Sequence, residues 1–140
     1  MSEETLRSVS LRRTGAGQFV ATNPHGVELA ISGGGEEAFS PVELLLAAMA
    51  GCTALDVDAL TSRRAEPDSF ELRATADKIR DASGNRLENI HVTFKVTFPA
   101  GEAGDAARAV LPDMVAKSHD RLCTVTRTIE RGTPVTPQIE

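Results

Sequence analysis

The chain has no Trp and no Tyr, and its five Phe make up an aromatic content of only 4% of 140 residues. Its core must therefore be built from Leu, Val, Ile, Ala, Met and Phe. A domain of this size buries only about two-thirds of the surface that its unfolded chain exposes. So few large side chains limit what one copy can hide, which favours a partner. A basic stripe is also missing: Arg residues stand singly or in pairs such as Arg12-Arg13 and Arg63-Arg64, and the net charge is −5. That balance argues against nucleic acid as a partner. The opening Met1-Ser2-Glu3-Glu4-Thr5 lacks the basic and apolar regions of a secretory leader, and no uninterrupted apolar run is long enough to span a bilayer. A cytoplasmic protein with no membrane partner is expected.

Cysteine is scarce too, with Cys52 and Cys123 lying 71 positions apart and no Cys-x-x-Cys. In a reducing compartment such a pair is rarely a permanent staple, and the local redox and zinc motifs are absent. The three histidines, His25, His91 and His119, have no recognisable ligand spacing. The expectation is no metal and no cofactor.

What is present is periodicity. Val9, Leu11 and Arg13 alternate with Ser10 and Arg12; Phe19 and Ala21 follow, then Val27, Leu29 and Ile31. Three short strands are predicted, with turns at Gly15 to Gly17 and at Asn23-Pro24-His25-Gly26, then a mobile loop from Ser32 to Glu37. Ser40 as N-cap, Pro41 at the first helical position and Glu43 three residues after the cap predict a helix from Pro41 to about Arg64. Its first half, Leu44 to Cys52, is apolar all round, the pattern of a helix enclosed on nearly every side. Alternation of Phe70, Leu72, Ala74 and Ala76, a Ser83-Gly84-Asn85 turn, and alternation of Ile90, Val92, Phe94, Val96 and Phe98 predict a strand pair. A helix from about Asp105 to Ser118, which Pro112 either kinks or restarts, and a short helix from near Cys123 to Gly132 complete the chain. With no repeat, low-complexity segment or linker, residues 1–140 are read as one α+β domain.

Taken by itself, Cys52 among Ala50, Gly51 and Thr53 suits an inert, packed thiol. Cys123 at a helix start suits either an inert or a reactive one, because unpaired backbone amides there favour a thiolate. His119, four residues before Cys123, either supports that thiolate or is a surface histidine. Asp56 and Asp58 are read as solvated charges.

The segment Ser40-Pro41-Val42-Glu43-Leu44-Leu45-Leu46-Ala47-Ala48-Met49-Ala50-Gly51-Cys52-Thr53-Ala54-Leu55-Asp56-Val57 resembles the central-helix motif of the OsmC/Ohr family. Ser118-His119-Asp120-Arg121-Leu122-Cys123-Thr124-Val125 is similar to that family's second-cysteine motif. The resemblance implies an OsmC-like fold, a long central helix with wrapped antiparallel sheets in an intertwined homodimer. It implies a thiol-dependent peroxidase acting on small, organic hydroperoxides. Cys52 would be the peroxidatic and Cys123 the resolving cysteine, an arginine would stand near the first sulfur, and a dithiol reductant of the lipoyl type would restore both thiols.

The sequence departs from that pattern at one position. The family's peroxidases carry a glutamate directly after the helix-opening proline, where it orients the arginine; here the residue is Val42. Position 42 lies about 80° around the helix from Cys52, whereas Glu43 lies about 180° away, on the wrong side. Glu43 is read as the capping partner of Ser40. The arginine would come from Arg12 or Arg13, of which only one can face a given side of a strand; Arg13 is the favoured candidate, beside the reading that both are solvated. The alternative function is an OsmC-like ligand-binding or redox-sensing protein with little peroxidase activity.

Overall fold

The computed structural model describes residues 5–34 and 37–140, which fall into two compact units, one reaching to Leu45 and one over Leu46–Glu140. In the first, the alternating segments form an antiparallel sheet of β1 (Ser10–Gly15), β2 (Gln18–Thr22) and β3 (Glu28–Ser32) in that order. Asn23 makes the second turn by accepting at Oδ1 from the amides of His25 and Val27, at 3.0 and 2.9 Å. Gly26 supplies the positive φ, 85°, that this turn requires. The loop expected over Ser32 to Glu37 includes residues 35 and 36, which lie outside the described residues.

The predicted cap of α1 (Pro41–Thr61) is formed reciprocally. The Ser40 amide donates to Glu43 Oε1 at 2.8 Å and the Glu43 amide to Ser40 Oγ at 3.2 Å. The helix stops at Thr61, three residues before the expected end, and Ser62 to Arg64 form a turn ahead of Glu66-Pro67. Only the stripe Met49, Thr53, Val57 and Thr61, one residue per turn, is buried. Leu55 is 74% exposed and Leu45, Ala47, Ala48 and Gly51 are also exposed. The enclosure expected around the first half of the helix is thus not supplied by the chain's own described residues. By length and composition alone α1 passes the test for a membrane-crossing helix, with a window of mean hydropathy 1.5, a test that the core helix of a soluble protein also passes.

In the second unit β4 (Ser69–Asp81) and β5 (Gly84–Thr97) form a long antiparallel hairpin. Phe70 pairs with Val96, Leu72 with Phe94 and Ala74 with Val92, so the half-buried residues share one face as period two dictates. Phe70 and Phe94 meet edge to face at 6.4 Å. The turn sits one residue earlier than expected. Asp81 pairs with Gly84 and its Oδ1 accepts from the Ser83 amide at 2.9 Å, so Ala82 and Ser83 form the loop. A register shift between Thr75 and Asp77 is matched by Asn89 at φ 53°.

Helix α2 (Glu102–Lys117) runs through Pro112, which therefore neither ends nor restarts it but withholds a donor from the Arg108 carbonyl. A π-type turn, Ser118–Leu122, leads to the short α3 (Thr124–Glu130), whose N-cap is Cys123. The buried residues of this unit are Met49, Thr53, Val57, Thr61, Phe98, Gly104, Ala107, Ser118 and Cys123. Among the described residues, three α-helices and two antiparallel sheets give the α+β class expected.

Candidate active site

Cys52 lies on α1 one residue before the buried Thr53, and is half-buried. Cys123 is brought to it by the π-type turn, whose closing bond runs from the Cys123 amide to the Ser118 carbonyl at 2.7 Å. A π-type turn widens the backbone by one residue per turn and is frequently found at functional sites. Cys123 is fully buried. The two Sγ atoms and a carboxylate oxygen of Asp56 all lie within 4.8 Å of one another. A disulfide bond is about 2.05 Å long, so the two sulfurs are neighbours but not bonded, and both cysteines are free.

Asp56 stands one helical turn after Cys52. Ser118 Oγ donates to its Oδ2 at 2.9 Å, and Ser118 Oγ lies 2.7 Å from Thr53 Oγ1. A carboxylate only accepts, so the Ser118 proton goes to Asp56 and Thr53 donates to Ser118. This relay satisfies two buried hydroxyls, and among the described residues no buried side-chain polar atom lacks a partner.

Burial pushes the Cys52 thiol pKa above its ordinary value. The backbone amides of Val125 and Thr124, at the start of α3, pull it down, while the neighbouring Cys123 adds to the rise. Cys123 stands at the helix start that the sequence predicted, as the N-cap of α3. The net rise has a measurable outcome: half-maximal alkylation of Cys52 by iodoacetamide in the wild-type protein, with the Cys52 peptide followed by mass spectrometry, is expected at a higher pH than for an unperturbed thiol. A midpoint near neutrality would show that the amides outweigh burial.

A mostly apolar cavity of about 470 Å³ reaches Cys123, walled by Met49, Val92, Phe94, Val115 and Ile129, with His119, Asp120 and Glu130 among its polar lining. His119 does not serve Cys123. Its Nδ1 lies 2.8 Å from Asp120 Oδ1 and its Nε2 3.2 Å from Glu130 Oε2, contacts that raise its pKa, Asp120 first.

The family described as OsmC-like protein matches residues 33–138. The chain belongs to the OsmC family. Protein YhfA of Escherichia coli strain K12 is 27% identical over 124 residues, 87% of this chain and 88% of the relative. An OsmC-like protein of unknown function from Vibrio cholerae has a similar fold, with TM-score 0.74 at 16% identity, over 93% of this chain and 95% of that one. The organic hydroperoxide resistance protein OhrB of Bacillus subtilis superposes with TM-score 0.57 at 21% identity, over 93% of each chain.

Within this OsmC fold the structure brings Cys52 and Cys123 together. Arg13 is exposed on β1, paired with Phe19 in the first unit. Arg12, the other candidate, is bonded to Glu28 at 3.2 Å across the same sheet. Glu43 is occupied by the cap of α1, as expected. Asp56, read from the sequence as a solvated charge, is half-buried beside both sulfurs, and Thr53 and Ser118 passed unremarked. The available signal was local: Asp56 follows Cys52 by four residues, so both lie on one helix face.

Proposed function

We propose that this OsmC-family protein is a thiol-dependent reductase of small hydroperoxides, with organic ones preferred. The single observation that carries the reading is the approach of Cys52 and Cys123, from elements far apart in sequence, to within 4.8 Å. The Cys52 thiolate attacks the terminal peroxide oxygen, the O–O bond breaks, and the alkoxide takes a proton to leave as alcohol. Cys52 becomes a sulfenic acid. The Cys123 thiolate then attacks that sulfur, water departs, and the disulfide remains until a dithiol, of the lipoyl type by family resemblance, reduces it. The apolar cavity beside Cys123 supports preference for organic hydroperoxides. Arg13 is proposed as the arginine that offsets charge on the departing alkoxide. The test is to count free thiols before and after one equivalent of cumene hydroperoxide, compared with hydrogen peroxide. Loss of both thiols with a linked peptide pair is expected; independent overoxidation of each cysteine overturns the reading.

The second reading, a redox-sensing or ligand-binding protein that turns over slowly, is favoured by two observations: the raised thiol pKa of Cys52 and Val42 in place of the family's glutamate. Val42→Glu separates the two. If Arg13 or another arginine reaches position 42, the variant lowers the Cys52 pKa and speeds reaction with an organic hydroperoxide in stopped flow. An unpaired carboxylate there would instead cost several kcal/mol of stability. A folded variant with unchanged pKa and rate shows that the site does not use that arrangement, and puts the sensing reading ahead.

The functional unit is proposed to be a cytoplasmic homodimer of one OsmC-like domain per chain. Leu55 and Leu45 on α1, at 74% and 38% exposure, support this, since apolar groups in such number call for cover. Sedimentation at micromolar concentration should give twice the chain mass; a monomer rules the dimer out.

A further inference from the structure

We propose that the reduced protein binds one thiophilic divalent cation, Zn²⁺ being the natural occupant, through Cys52 Sγ, Cys123 Sγ and a carboxylate oxygen of Asp56. Neither the sequence spacing nor the peroxide chemistry calls for such a site. It follows from where the fold puts three donors. Their ligand atoms lie within 4.8 Å of one another. A tetrahedral zinc with bonds of about 2.0–2.3 Å needs its donors roughly 3.3–3.8 Å apart, so side-chain adjustment of at most about 1.0–1.5 Å closes the set.

Two of the donors stand at i and i+4 on α1, the spacing by which one helix face offers two ligands to one metal. The third comes from a different element and is held by the bond from the Cys123 amide to the Ser118 carbonyl, 2.7 Å. Around them is an outer layer of the kind that orients metal ligands. Ser118 Oγ donates to Asp56 Oδ2 at 2.9 Å, leaving the carboxylate's other lone pairs free, and Thr53 backs Ser118.

Charge and softness choose the cation. A divalent cation that replaces the two thiol protons neutralises the charge that two thiolates and a carboxylate would otherwise place within 4.8 Å of one another. Two sulfur donors favour zinc over magnesium or calcium, whose sites are made of oxygen. Three protein ligands leave a fourth position for water.

Binding and disulfide formation exclude each other, because both consume the thiolates. With a hydroperoxide as oxidant, two bound thiolates, one ROOH and two protons give the disulfide, ROH, water and the freed cation. This release step rests on the peroxide chemistry proposed above; cation binding does not.

The experiment titrates the full-length, reduced protein with Co²⁺ under anaerobic conditions and follows the near-ultraviolet thiolate-to-cobalt charge-transfer band, then displaces Co²⁺ with Zn²⁺. The expected result is saturation at one equivalent per chain, with the band lost in the Cys52→Ser, Cys123→Ser double variant. Asp56→Asn should weaken Zn²⁺ binding at least about tenfold and Ser118→Ala by about tenfold, the range seen when outer partners are removed. Asp58→Asn, an exposed carboxylate on the same helix, should change nothing. Circular dichroism confirms that each variant is folded, and Asp56→Glu, which keeps the carboxylate, should bind better than Asp56→Asn. Absence of the charge-transfer band, or equal affinity in wild type, Asp56→Asn and Asp58→Asn, overturns the proposal. Disulfide formation is measured separately on metal-free protein, so failure of the peroxide reading and failure of the cation site are read independently.

Discussion

Cys52→Ser is expected to abolish hydroperoxide-driven disulfide formation and to lower dithiol-coupled peroxide consumption by about a thousandfold or more, the scale of loss when a covalent nucleophile is removed. Cys123→Ser should behave differently. It retains one round of attack, leaving a sulfenic acid on Cys52 that a dimedone-type probe captures, but cannot close the intrachain disulfide. Access and order decide which thiol attacks first. Cys52 is half-buried and open to a peroxide, whereas Cys123 is fully buried and waits within 4.8 Å. The apolar cavity, however, is lined by Cys123. Should Cys52→Ser retain the sulfenic acid and Cys123→Ser lose it, the roles are exchanged and the substrate enters through that cavity. Intact mass after a single equivalent of cumene hydroperoxide distinguishes the outcomes.

The largest expected effect on stability lies away from the sulfurs, at Gly104. This residue is buried in the first turn of α2, where a Cβ would stand 1.7 Å from the Pro99 carbonyl oxygen and 2.9 Å from its carbon. Both are backbone atoms, so relief requires α2 to move off the Phe98-Pro99 segment. That movement breaks the seat of the buried Phe98 and the bond from Arg108 Nη2 to the Phe98 carbonyl at 3.0 Å. Replacing a helical glycine by alanine normally gains about 1 kcal/mol. Overpacking costs about 1–3 kcal/mol or more, and a backbone clash belongs at the upper end. The clash wins. Gly104→Ala should lose about 2 kcal/mol net and lower Tm by roughly 5–10 °C in a thermal melt. Gly33→Ala is the control, since nothing stands within 4 Å of its added methyl and its backbone needs no positive φ. A Gly104→Ala protein as stable as wild type would mean that α2 is not seated on Pro99 as described.

The local elements were determined by the sequence itself, because each depends on residues only a few positions apart. The Ser40–Glu43 capping box, the alternating face of Phe70, Leu72 and Ala74, the helix start at Cys123 and the two cysteine motifs all belong to this class. The sequence missed what depends on closure over long separations. Ser118 donates to Asp56 from 62 positions away and meets Thr53 from 65, and no pattern within one helix shows that a hydroxyl from the end of α2 will desolvate and fix a carboxylate on α1. The same holds for the start of α3, which was legible, whereas the meeting of its N-cap Cys123 with Cys52 on α1 was set by packing. Apolar patterning on α1 announced a helix that must be covered, yet burial within the chain is confined to the Met49–Thr61 stripe. Hydrophobicity records that a face avoids water; it carries no address for what covers it. Only the tertiary structure places the two thiols and Asp56 within one 4.8 Å cluster, because the donors meet through the packing of separate elements and not through their spacing along the chain.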